Sequence, residues 1–282
     1  MAEPRIGGAT RVAAVLGWPV THSLSPVIHN AAFEALEMDW TYVALPVEPG
    51  AVPAAIAGLR ALGIAGANVT MPHKEAVADV MDELTDDATR LRAVNTIEAR
   101  GDRLVGHNTD APGFARFLER DAGFDPAGKT AVVFGAGGAA RACALAVARA
   151  GLTRIVVALR EPARAAPLAA ALEGFETEVR AVAFDNAEDF TADLVVNATP
   201  LGARGEDLPV PKIGAEGLLV DLLYRPTVTS AQQAARAAGA RAFGGLGLLL
   251  HQAALSFELW TGRPAPLEVM SAAAVAALAE PA

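Results

Sequence analysis

One segment constrains this chain more than any other. Thr130 to Phe134 is a short apolar, β-prone run that empties directly into Gly135-Ala136-Gly137-Gly138-Ala139-Ala140. An alanine-rich stretch to Ala150 follows, closed by Gly151. Strand, glycine turn and helix in that order open a βαβ unit of the Rossmann type, and the glycines fit G-x-G-x-x-A. Gly135 permits the tight turn, Gly137 lets the backbone approach a pyrophosphate, and Ala140 allows close helix–strand packing. Free N–H groups at the helix start then face the anion. A glycine turn without a ligand is the plainer alternative. The strand before and the helix after favour a dinucleotide.

The rest of the chain keeps the same alternation. Strands are expected at Arg11–Leu16, Thr41–Val47, Ala67–Thr70, Arg154–Leu159, Asp193–Asn197 and Leu218–Tyr224. Helices are expected at Ser25–Leu36, Val52–Leu62, Lys74–Leu84, Asp110–Ala122, Ser230–Ala238, Leu248–Trp260 and Leu267–Leu278. Val94–Ala99 and Arg103–Val105 read as a hairpin across Arg100-Gly101-Asp102. Gly123 to Gly128 is turn-rich and reads as the entrance to a second unit. Such alternation predicts an α/β fold with mostly parallel sheet.

The end of the strand after the glycine unit bears on which nicotinamide dinucleotide is held. An NAD site typically carries Asp or Glu there, about 20 residues past the glycines. Here the strand ends Leu159-Arg160-Glu161. Arg160 suits a 2′-phosphate, with Arg164 or Arg141 in support. Glu161 repels a phosphate and suits a free ribose. NADP is the favoured cofactor, and NAD stays open.

Composition removes several classes. Lys and Arg number 23 against 32 Asp and Glu, a net charge of −9. Phosphate neutralisation wants a basic surface, so nucleic acid is not an expected partner. A hydrophobic content of 52% supplies a core and excludes a disordered chain. The one cysteine, Cys143, excludes a disulfide scaffold and reads as a small buried apolar residue. His22, His29, His73, His107 and His251 show no paired ligand spacing, so no metal is expected. The polar start lacks a secretory apolar run, and no segment is long enough to span a membrane. A cytoplasmic protein follows.

Four polar segments lie upstream of the glycine unit. In His22-Ser23-Leu24-Ser25-Pro26, alternate serines of an extended segment point the same way, or Ser25 caps the next helix. Asn68-Val69-Thr70-Met71-Pro72-His73-Lys74 sits where a strand gives way to a helix, the usual ligand edge. Lys74 is a cation able to exchange protons if partly desolvated. Val94-Asn95-Thr96 and Asn108-Thr109-Asp110 complete the set, with Asp110 at a helix start. Hydroxyls, amides, one cation and one anion suit a small polyhydroxylated acid.

These segments, in this order, resemble the shikimate dehydrogenases. Asn197-Ala-Thr199, Asp221-Leu222-Leu223-Tyr224 and Gly245-Leu-Gly-Leu248-Leu-Leu-His251-Gln252 continue the match, which runs from about residue 11 to 263. The resemblance implies reversible reduction of 3-dehydroshikimate to shikimate in aromatic amino-acid synthesis. It implies a substrate and catalytic domain at 1–109 plus 248–282, and a Rossmann-type dinucleotide domain at 110–247. Lys74 and Asp110 match the family's catalytic pair. Ser23, Ser25, Thr70, Asn95, Tyr224 and Gln252 match its substrate contacts. Gly135, Ala136, Gly137, Gly138, Ala139, Arg160, Thr199, Leu222, Gly245 and Leu248 match its cofactor contacts.

The departures are Arg92 before Ala-Val-Asn-Thr, Ala111-Pro112 after the aspartate, Leu248 for a common Met, and Pro200 for a frequent Ser. Leu159-Arg160-Glu161 stands where NADP-linked members usually read Asn-Arg-Thr. An NAD-linked quinate/shikimate dehydrogenase is the nearest alternative, and a non-catalytic shikimate or nucleotide sensor is the remoter one. The expected partner is a small molecule, and a homodimer stays open.

Overall fold

Crossover helices return the chain to the same end of a sheet, so alternating strands and helices build parallel sheets. The computed structural model describes residues 6–279. That chain divides into two units: the first runs to Thr109 and resumes at Leu250, and the second is Asp110–Leu249.

The first unit contains β1 (Arg11–Gly17), α1 (Ser25–Ala35), β2 (Trp40–Pro46), α2 (Val52–Ala61), β3 (Gly66–Val69), α3 (Lys74–Ala78), β4 (Glu83–Leu84), α4 (Asp86–Leu91), β5 (Thr96–Arg100) and β6 (Arg103–His107). The strand order is β2-β1-β3-β5-β6-β4. β1 runs parallel to β2 and β3, because α1 and α2 are full crossovers. β5 is antiparallel to both β3 and β6. The turn from Arg100 to Asp102 merely reverses direction, with Gly101 at φ 64°. Leu16, Ile56, Leu59, Val69 and Ile97 form part of the core beneath the sheet.

Lys74–Leu84 is not one helix. It stops at Ala78, and Glu83 and Leu84 pair with β6. The apolar spacing of Val77, Val80, Met81 and Leu84 mimics a helix. Tertiary pairing overrides it, because the Asp82 carboxylate accepts from the Leu104 N–H at 2.6 Å and from Arg60 at 2.7 Å. The α4 helix lies where none was expected.

The second unit contains α5 (Asp110–Arg120), β7 (Thr130–Phe134), α6 (Gly138–Arg149), β8 (Arg154–Leu159), α7 (Ala166–Ala171), β9 (Glu178–Ala183), β10 (Thr191–Asn197), β11 (Lys212–Asp221), α8 (Ser230–Ala237) and β12 (Arg241–Phe243). Its order is β12-β11-β10-β7-β8-β9, with every neighbouring pair parallel. The strand order reverses between β7 and β10, which is where an open α/β sheet binds ligands. The elements α7, β9 and β12 went unanticipated. In β9, an edge strand, only Val182 is buried, so it carries no apolar signal. α9 (Leu246–Thr261) crosses the boundary between the units, and α10 (Leu267–Ala279) packs on α1.

Candidate active site

At the carboxyl edge of the first sheet, β1 and β3 are pressed together. A Cβ on Gly17 would lie 2.4 Å from Thr70 Cγ2, so a side chain there would force the edge apart. The Thr70 N–H donates to the Leu16 carbonyl at 2.9 Å, and the Trp18 N–H to the Met71 carbonyl at 3.0 Å. Thr70 and Lys74, both half-buried, lie on the connection from β3 and at the first residue of α3. The Lys74 carbonyl accepts from the Val94 N–H at 2.8 Å, tying this connection to the segment that carries Asn95.

The serine segment is neither extended nor capped as expected. Leu24 has α-helical angles and precedes the helix, and Ser25 is already its first residue. The Ser23 hydroxyl accepts from the Ser25 N–H at 3.3 Å. This leaves the buried Ser25 hydroxyl free of capping. Burial pushes Tyr42 well above its ordinary pKa of 10.0, opposed by the neighbouring Ser25 and Asn68.

From Tyr42 a buried polar chain continues inward. The Tyr42 hydroxyl donates to Asn68 Oδ1 at 2.7 Å. Asn68 Nδ2 donates to Ser256 Oγ at 2.9 Å and to Thr96 Oγ1 at 3.1 Å. Asn95 Oδ1 accepts from the Thr109 N–H at 2.7 Å, which fixes the orientation of its carboxamide. Its Nδ2 then donates to Thr109 Oγ1 at 2.9 Å and to Gln252 Oε1 at 3.3 Å. Asn95 and Gln252, drawn from distant stretches, therefore belong to one network with Tyr42 and Asn68.

Beside this chain lies an aromatic cluster. The wholly buried His29 ring stacks on Tyr42 at 4.4 Å between centroids, and Trp260 lies 5.3 Å away. Burial drives His29 from 6.5 down to about 3, opposed by Asn68, so the ring is neutral. A Cβ on Gly66 would meet the Trp260 indole at 2.3 Å, and Trp260 Nε1 donates to the Ile97 carbonyl at 2.9 Å. These contacts seat α9 on β3 and β5.

In the second unit, β7 runs into Gly135 at φ 102°, a left-handed conformation that favours glycine. A Cβ there would also lie 3.1 Å from the Ala198 carbonyl. Gly137 is exposed, caps α6 without any side chain, and a Cβ on it would meet nothing within 4 Å. Ala136, Gly138 and Ala139 are half-buried beside it. An open backbone cradle at the start of a twelve-residue helix fits a pyrophosphate. Arg160, Glu161 and Arg164 are all exposed just beyond β8, whereas Leu159 is buried.

The neighbouring strand ends are held by Asp221, which is fully buried. Its Oδ1 accepts from Asn197 Nδ2 at 3.0 Å and from the Leu223 N–H at 3.2 Å, and its Oδ2 from Thr229 at 2.8 Å. Burial raises its pKa above 3.8 against these hydrogen bonds. The Thr199 hydroxyl donates to Asn197 Oδ1 at 2.7 Å. Gly245 lies so close to Leu222 that a Cβ would fall 2.0 Å from the Leu222 carbonyl. Tyr224, half-buried, follows this strand, and burial raises its phenol above 10.0. Leu248 is buried on α9, and Asp110 is buried at the first position of α5.

Thus the first unit gathers Ser23, Ser25, Thr70, Lys74, Asn95 and Gln252, and the second carries the glycine loop, Arg160, Thr199, Leu222, Tyr224, Gly245, Leu248 and Asp110. Lys74 and Asp110 belong to different units. Sequence reasoning missed Tyr42, Ser256 and Thr229; Asn68, Thr96, Thr109 and Asp221 stood in its polar segments and family match without this connecting role. A signal existed for Ser256: it is a polar residue four positions after Gln252 on an apolar helix. Among the described residues no group of three or more His, Cys, Asp or Glu could hold a metal ion. No helix among them is long and apolar enough to cross a membrane.

Comparison with known proteins places these units in context. Residues 15–97 match the family profile described as the shikimate dehydrogenase substrate binding domain. Residues 245–275 match that of the shikimate 5′-dehydrogenase C-terminal domain. The chain is 48% identical to the shikimate dehydrogenase (NADP(+)) of Moorella thermoacetica, covering 94% of this chain and 93% of that one. It resembles the crystal structure of shikimate 5-dehydrogenase from Thermus thermophilus in complex with NADP(H) and shikimate, with a TM-score of 0.85 and 40% identity over 95% of this chain and 100% of that one. Quinate dehydrogenase from Corynebacterium glutamicum in complex with NAD is similar at a TM-score of 0.87 and 30% identity, over 95% and 99% of the two chains.

Proposed function

Because this chain belongs to the shikimate dehydrogenase family, we propose that it catalyses the reversible, NADPH-linked reduction of 3-dehydroshikimate to shikimate in aromatic amino-acid biosynthesis. The observation that carries this is the linked set of Asn68, Asn95 and Gln252 beside the β3 edge that bears Thr70 and Lys74. Hydroxyls and carboxamides held in fixed directions match a ring bearing several hydroxyl groups and a carboxylate. The first unit contributes Ser23, Ser25, Thr70, Asn95 and Gln252 to substrate binding, and the second contributes Tyr224.

The second unit holds the dinucleotide. The Gly135–Ala139 backbone at the start of α6 would hold its pyrophosphate, and Arg160 would pair with the 2′-phosphate. Thr199, Leu222, Gly245 and Leu248 line the nicotinamide end. When bound, the nicotinamide supplies the hydride. Lys74 donates the proton to the ring carbonyl oxygen through Nζ, and Asp110 is the second member of the catalytic pair. A cytoplasmic enzyme accords with this reading.

A second reading rests on Glu161, whose carboxylate adjoins Arg160 at the position that sets cofactor choice. It makes the enzyme NAD-linked and active on quinate. Initial rates of shikimate and quinate oxidation, each with NADP and with NAD, separate the two. A preference for NADP with shikimate supports the first reading. Preference for NAD with quinate turnover establishes the second, and no turnover with any pair refutes both.

A further inference from the structure

We propose that Ser256 is a positioning residue that aims Gln252 at the substrate, a role that rests on the dehydrogenase reading above. Ser256 and Gln252 lie one turn apart on the same face of α9. The Ser256 hydroxyl is completely buried and sits at the junction of three strands of chain. It donates its proton to the Gln252 carbonyl at 3.0 Å. Its lone pairs face Asn68 Nδ2 at 2.9 Å and Thr96 Oγ1 at 2.8 Å, and Thr109 Oγ1 lies 3.3 Å away.

Apolar contact alone is enough to seat this helix. Ala253, Ala254 and Phe257 are buried, and Trp260 is clamped over Gly66 and bonded to Ile97. Apolar packing has no direction, however, and does not set the rotation of a helix to within a fraction of an ångström. Hydrogen bonds do. Ser256 registers α9 against β3 through Asn68 and against β5 through Thr96. Asn95 is held by the Thr109 N–H at 2.7 Å, and its Nδ2 donates to Gln252 Oε1 at 3.3 Å. Serine and asparagine thus fix the backbone and the carboxamide of Gln252 from two sides.

A double-mutant cycle on the full-length enzyme tests this. Ser256→Ala raises the KM for shikimate about tenfold, the worth of one lost hydrogen bond. The KM for NADP stays unchanged. In a Gln252→Ala background the same change adds nothing further, because Ser256 acts through Gln252. An unaltered shikimate KM, or a factor that multiplies undiminished in the Gln252→Ala background, overturns the proposal. Should Ser256→Ala fail to fold, Ser256→Cys keeps the volume with a weaker hydrogen-bonding group and enters the same cycle. If the wild-type enzyme does not turn over shikimate, the dehydrogenase reading fails separately. The Gln252 side-chain amide resonances, assigned by their loss in Gln252→Ala, then decide: a shift in Ser256→Ala supports positioning, and unmoved resonances overturn it.

Discussion

Both units bury a polar knot near the carboxyl edge of a sheet, but from different materials. In the first unit the knot is neutral: Tyr42, Asn68, Thr96, Asn95, Thr109, Ser256 and Gln252, with the neutral ring of His29 packed beside it. In the second unit it centres on one carboxylate, Asp221, receiving three hydrogen bonds. A neutral network keeps its directions across a wide range of pH, which suits a surface that reads hydroxyl groups. A carboxylate gathers several donors at one point, which suits tying together the strand ends that frame a cofactor. The two also load pH with opposite signs. His29 is held below its ordinary value and Asp221 above it.

The largest expected effect separates chemistry from cofactor binding. Lys74→Ala lowers kcat about 100- to 10,000-fold, the usual worth of an aligned acid–base group, with the KM for NADPH unchanged. Steady-state rates check it, and an unaltered kcat removes Lys74 from the proton step.

Next is the acid response of the first unit. His29 titrates at about 6.5 when unfolded and about 3 when folded. Between those values the unfolded chain binds more protons, so stability is full above pH 6.5 and falls as the pH drops towards 3. The loss is at most about 5 kcal/mol, at 1.36 kcal/mol per pH unit. His29→Phe flattens this slope in urea titrations at a series of pH values, whatever its absolute stability. His107, also held below its ordinary value by partial burial, leaves a smaller slope of the same sign.

Two glycines two positions apart sharpen the picture of the second unit. Gly135→Ala strains a backbone at φ 102° against Ala198 and costs on the order of 1–3 kcal/mol. Gly137→Ala meets open space and changes stability by less than about 0.5 kcal/mol. Its methyl occupies the pyrophosphate cradle, so the KM for NADPH rises while Tm holds. A KM for NADPH unchanged in Gly137→Ala removes the glycine loop from cofactor binding.

The smallest effect belongs to Asp221. Its folded pKa lies above 3.8, so the folded state holds the proton longer and stability falls as pH rises through that window. Asp221→Asn abolishes this component, keeps the Asn197 and Leu223 bonds on its oxygen, and turns an amide to Thr229. Amide exchange of β10 and β11 then loses its pH dependence there. Retention of that dependence assigns it to another group.

The site was more legible than its scaffold. Gly135 and Gly137 announce themselves because backbone geometry and ligand approach exclude side chains. Thr70, Lys74 and Asn95 stand at junctions between elements, where polar residues interrupt apolar periodicity. By contrast, Lys74–Leu84 carried a helical spacing that β6 overruled, and Ser25 resembled a cap although Leu24 precedes the helix. Strand β9 was invisible because an exposed edge buries almost nothing.

What the sequence determined by itself is local: strand–glycine–helix order, crossover lengths, and the chemical types available at each edge. Those follow from dihedral limits and periodicity within a few residues of chain. Tertiary structure alone decided that Tyr42, Asn68, Thr96 and Ser256 share one hydrogen-bonded chain. Ser256 lies 188 residues from Asn68, and no local rule specifies such a partner. Only the burial of α9 against β3 and β5 takes those groups out of water and leaves each with the others to satisfy.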